Sequence, residues 1–179
     1  MDGIVGAIFI FILLLVIGFV AHEIEEIYVQ RKWMLKNEAT LKQRFPKLRK
    51  VFDHLLSMDT IAFTFAVLEE SVVLVLIIFA FINNGEIGDF GIMFLCGLFF
   101  AYTMHLLVHI IQGIIFRGYV PGLVTSIIQF LIFGPFLIFY FKEIHLFLAG
   151  LAGVCFLFLN LLFAHWLGKK VSNLIMTSK

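Results

Sequence analysis

Five long apolar runs decide what this chain is able to fold into: residues 3–29, 60–82, 90–116, 119–141 and 146–167. Crossing the ~30 Å hydrocarbon core of a bilayer takes roughly 20 mostly apolar residues in a helix. Each run reaches that length. A segment in lipid must satisfy its own backbone N–H and C=O groups, which over such lengths means helix. No stretch shows the roughly ten-residue alternation of a barrel strand. The expectation is therefore an all-α integral membrane protein, a five-helix transmembrane bundle formed as a single domain over residues 1–179. Composition agrees: 62% of the 179 residues are hydrophobic and 14% are charged, against about 45–50% and 25% in soluble domains. That excludes a soluble enzyme, a disordered chain and a nucleic-acid-binding domain, and a net charge of +1 adds no pull toward nucleic acid. Cys96 and Cys155 both lie inside apolar runs with no disulfide or zinc-finger spacing, and read as packing residues.

The basic residues orient the bundle. Segment 31–50 holds Arg31, Lys32, Lys36, Lys42, Arg44, Lys47, Arg49 and Lys50; Arg117 follows the third run, and Lys169, Lys170 and Lys179 follow the fifth. With five spans all of these fall on one side, leaving only Lys142 on the other. The positive-inside rule then puts the N-terminus outside and the C-terminus in the cytoplasm of a multi-pass cell-membrane protein. The first run lacks a basic segment before it, begins with Asp2 and exceeds a signal-peptide core in length, so it reads as a retained helix. Residues 31–58 form the one long connection, a cytoplasmic loop. In it Trp33, Leu41, Phe45, Leu48, Phe52 and Leu55 recur at amphipathic spacing between basic residues, broken once at Pro46. This predicts a basic amphipathic segment lying on anionic lipid of the inner leaflet. Asn83-Asn84-Gly85 and the 118–122 stretch with Pro121 read as tight turns. No internal repeat supports a duplicated transporter.

Ionisable groups within a bilayer cost about 2.5–3.5 kcal/mol each even on the lenient insertion scale. Here they cluster. In His22-Glu23-Ile24-Glu25-Glu26, helical spacing puts His22, Glu25 and Glu26 on one face and Glu23 off it. In the second run Glu70 is the inward candidate, in line with Asp59, and Glu69 is its neighbour roughly 100° away. His105 and His109 stand one turn apart on the third run, with Tyr102 and Gln112 extending their stripe. The later runs add Thr125, Ser126, Gln129, Asn160 and, near the end, His165. His54 and His145 read as surface residues. Counted from the cytoplasmic ends at ~1.5 Å per residue, the polar groups of four helices fall in one layer roughly 5–16 Å deep.

The string His22-Glu23-Ile24-Glu25-Glu26 resembles the signature of the HXXEE-domain family of small bacterial membrane proteins, through His22, Glu25 and Glu26. Small size, several apolar helices and an early motif fit the same family. The resemblance implies a polar site at these residues and leaves the reaction open. Intramembrane zinc proteases of the HExxH type fit worse, since Glu26 stands where the second histidine belongs. Prenyl-protein endopeptidases fit worse too: no arginine follows Glu69-Glu70 at their distance, and Phe100 to His105 is one residue too long.

Histidines and carboxylates on three helices are what bundle metal sites are made of. The leading expectation is an intramembrane metalloenzyme, with ligation by His22, Glu26, Glu69, His105 and His109 and proton transfer by Glu25 and Glu70. Three histidines suit zinc better than iron, so hydrolysis of a lipid or lipid-modified substrate from the cytoplasmic leaflet is expected ahead of oxidation by a di-iron centre. A proton- or ion-coupled transporter is the non-enzymatic alternative, although the outer halves of the spans offer few polar groups for a through-path. A metal-free hydrolase would use the same residues.

Overall fold

In the computed structural model, which describes residues 2–83 and 89–177, the chain is helical nearly throughout, with no strand among those residues. The helices are α1 (Asp2–Arg44), α2 (Arg49–Leu56), α3 (Thr60–Asn83), α4 (Asp89–Phe116), α5 (Leu123–Phe133), α6 (Leu137–Lys142) and α7 (Ile144–Thr177). Among the described residues three helices are long and apolar enough to cross a membrane, within α3, α4 and α7. Their outward faces carry exposed Val72, Leu76, Phe79, Ile114, Phe158 and Leu162, a surface that belongs in lipid rather than in water. Asn84 and Gly85 of the expected turn lie outside the described residues.

The fourth run is not one helix. Gly134 and Pro135 fall in its middle, and proline removes a backbone donor and crowds the preceding turn. The chain responds with a 3-10 turn at Gly134–Phe136 between α5 and α6. The 11 residues of α5 rise only about 16 Å, half of a hydrocarbon core.

The 31–58 segment also differs from expectation. Residues 31–44 contain no glycine or proline and several strong helix formers, so α1 runs on without a break for 43 residues, about 64 Å. It stops at Arg44 because Phe45, preceding Pro46, is pushed out of the helical region, to φ −127° and ψ 65°. The chain then reverses and α2 packs back along α1. Lys42 bridges Glu38 at 2.7 Å and Asp53 at 2.6 Å, and Arg31 donates to the carbonyls of Leu56 and Met58. The segment is a helical hairpin, not a loop, and its apolar residues line a chamber of the bundle rather than simply facing the leaflet. Asp59 then caps α3, accepting from Ala62 N–H at 2.7 Å, and that bond holds its carboxyl below the usual carboxylate range.

α7 forms the seam of the bundle, packed along both α3 and α4. Small residues allow this: a side chain at Gly153 would strike the backbone of Gly97, and one at Gly168 would strike that of Ala62. Close backbone approach through small residues is the usual route to helix association where lipid competes for apolar contact. A second packed zone, with Leu15, Phe99, Phe100, Tyr102, Leu106 and Phe133 at its centre, joins α1, α4 and α5.

Candidate metal centre

α1, α4 and the turn before α5 meet at three histidines. His105 Nε2 lies 3.1 Å from His22 Nε2 and 3.1 Å from His109 Nε2. One nitrogen from each residue lies within 4.8 Å of the other two. All three rings meet edge to face, with centroids 4.6–5.1 Å apart.

The outer nitrogens fix the tautomers. His109 Nδ1 is 2.8 Å from Pro121 O, and a carbonyl only accepts, so Nδ1 carries the proton. His22 Nδ1 is 2.9 Å from Thr125 Oγ1. That hydroxyl donates its own proton to Glu25 Oε2 at 2.7 Å, so it accepts from His22 Nδ1–H. His22 and His109 therefore both turn a bare Nε2 lone pair toward His105 Nε2. A single proton on His105 satisfies only one of them. A cation at the shared point satisfies all three, and three Zn–N bonds of about 2.0–2.1 Å in tetrahedral geometry need nitrogens roughly 3.3 Å apart. Backbone carbonyl and carboxylate groups behind the outer nitrogens are the usual support of metal-binding imidazoles.

The turn that supplies this support is built by the sequence. α4 ends in a Schellman motif, with Gly118 N–H on Gly113 O at 3.1 Å and Arg117 at φ 59°. The reversal brings Pro121 and Gly122 over the histidines, and Trp33 Nε1 pins Tyr119 O at 2.7 Å. Gly122 adopts φ +74°, and a side chain there would meet His22 Cε1 at 2.7 Å and Glu26 Oε1 at 3.0 Å. The sequence reads at this stretch as a tight turn; Gly122 beside Pro121 is the signal that it does more.

The predicted carboxylates separate. Glu26 is with the histidines, its Oε1 3.3 Å from His109 Nε2. Glu25 is not. It accepts from Tyr119 Oη at 2.8 Å, Val124 N at 3.3 Å, Thr125 N at 2.8 Å and Thr125 Oγ1, so it caps the start of α5 and braces His22 through Thr125. Glu70 lines the chamber with Glu23, Glu26, His105 and His109. Glu69 lines neither of the two cavities described here and accepts from Asn160 Nδ2 at 3.3 Å, because one residue of helical rotation turns it away from Glu70 toward α7. Glu23, expected off the site face, is 6% exposed and lines both cavities. α1 is flanked by α3 and α5, so its buried face is wider than one stripe; the i, i+3 spacing of Glu23 and Glu26 carried that signal.

The chamber has a volume of about 430 Å³, within the ~300–1,000 Å³ usual for ligand pockets. Glu23, Glu26, Glu70, His105 and His109 supply ionisable groups on one part of its wall, and Trp33, Leu41, Phe45, Leu48, Phe52 and Leu55 of the hairpin line another. Away from the centre, His54 is exposed as expected, but stacks on buried His165 with Nε2 to Nδ1 at 3.2 Å. Burial, and then the Lys169 ammonium, hold the His54 imidazole below its usual value.

A family model described as "Protein of unknown function with HXXEE motif" matches residues 13–140. The chain belongs to the HXXEE family. Its signature residues are His22, Glu25 and Glu26, one at the histidine cluster, one bracing it and one beside it. Neither the curated proteins nor the solved structures contain a match to the chain.

Proposed function

We propose that this HXXEE protein is an intramembrane metal-dependent hydrolase acting on a lipid or lipid-modified substrate drawn from the cytoplasmic leaflet. The observation that carries the reading is the convergence of three Nε2 atoms, two of them with their protons fixed on the far side of the ring. His22, His105 and His109 hold the ion, zinc by preference, and Glu26 beside His109 completes the set. A zinc ion so held supplies an acidic bound water and a Lewis acid for a carbonyl. Glu70, facing the same chamber from α3, is the carboxylate available to take a proton. Glu25 is a positioning residue, since its oxygens are already occupied by four donors.

The apolar hairpin wall suits an alkyl or prenyl chain, with the scissile group at the ionisable end. The asymmetry of basic residues supports a cytoplasmic hairpin and an outside N-terminus, with α1 and the broken α5–α6 pair added to the three long apolar helices as crossing segments. A test joins metal content to products. Purified protein in detergent, incubated with a bacterial total lipid extract, is expected to bind zinc and release a cleaved lipid detectable by mass spectrometry. His105→Ala is expected to lose both zinc and product. Zinc binding that is unchanged in His105→Ala overturns the assignment.

A further inference from the structure

The histidines leave carboxylates over. Glu23 is 94% buried by its 6% exposure and accepts no hydrogen bond among the described residues, yet it faces both cavities. Glu70 likewise lines both cavities and accepts no hydrogen bond among the described residues. Glu23, Glu26 and Glu70 line the same chamber, so the three carboxylates share one neighbourhood. Among the described residues, no lysine or arginine lines either cavity. Buried carboxylates that accept no hydrogen bond and pair with no lysine or arginine are costly, and a coordinated cation is one of the few arrangements that holds them. The histidine cluster is adjacent, because His105 lines both cavities with Glu23 and Glu70.

We propose a second cation position in this chamber, held by Glu23 and Glu70, with Glu26 bridging it to the ion on the histidines. This rests on the metal reading above and changes one role in it: with both ions bound, Glu70 would ligate rather than take a proton. Carboxylate oxygens favour a harder ion than imidazole does, so manganese(II) or iron(II) suits the second position. Two-metal centres place their ions about 3.5–4 Å apart, close enough for one carboxylate to span them.

Manganese tests this on the intact protein in detergent. Titration with Mn²⁺ alone is expected to reach two ions per chain, with an electron paramagnetic resonance spectrum of an exchange-coupled pair. Glu23→Gln is expected to bind one ion with an isolated-ion spectrum, and Glu70→Gln to do the same. The wild-type spectrum decides the matter even where a variant does not fold. One uncoupled ion per chain in wild type overturns the second position and leaves the histidine site standing. No bound Mn²⁺ likewise overturns the second position, and zinc binding by the same protein decides the histidine site separately.

Discussion

Glu25 and Glu23 stand two residues apart on α1 and live in opposite conditions. Glu25, on the side facing α5, is saturated: two backbone N–H groups and two hydroxyls hold its oxygens. Glu23, on the side facing the chamber, is more deeply buried and has no donor among the described residues. A bilayer protein that only needed to tolerate its carboxylates would treat both in the first way. The difference marks which side of the motif is scaffold and which is equipped to receive something.

The largest effect on the scaffold side is expected from Gly122→Ala. A left-handed φ costs an L-residue about 1–2 kcal/mol, and the new methyl lands on the His22 ring. Zinc binding in the purified variant is expected to fall by at least tenfold, with a lowered thermal midpoint. Wild-type affinity in this variant would mean the turn does not shape the site.

A smaller loss is expected from Glu25→Gln. Outer groups behind a metal-bound imidazole typically contribute 10–100-fold in affinity. Zinc affinity measured by chelator competition should drop within that range while the number of ions per chain stays the same. A lost ion would make Glu25 a ligand after all. The smallest effect is expected from Glu69→Gln, which keeps the contact to Asn160 and touches neither cavity described here. Ion content and affinity should stay within about twofold of wild type, well under 1 kcal/mol. A tenfold loss would return Glu69 to the site.

Much of this site was legible before the structure. His22, Glu26, Glu70, His105 and His109 came from two facts: shared helical faces and shared depth. Those facts depend only on helix geometry and on the cost of polar groups in lipid. What escaped depends on how helices are neighboured. A single buried stripe leaves Glu23 off the face, whereas α1 is packed on two sides. Adjacency in sequence groups Glu69 with Glu70, yet one residue of rotation sends it to Asn160 on α7. The roles of Thr125 and the Pro121 carbonyl were invisible, because backbone acceptors and turn geometry leave no mark in a hydropathy profile. Similarly, the run at 119–141 met the length rule but carried Gly134-Pro135 in its middle. The amphipathic spacing of 31–58 was real; its partner is the chamber wall of this same chain.

The central claim is that three imidazoles take one ion at a common point. X-ray absorption spectroscopy of the zinc-loaded wild-type protein reads this most directly, since imidazole rings give a characteristic outer-shell scattering pattern. The account predicts scattering from three imidazoles with Zn–N distances of about 2.0–2.1 Å, reduced to two in His109→Ala. A spectrum of zinc bound by oxygen alone, with no imidazole outer shell, would contradict it.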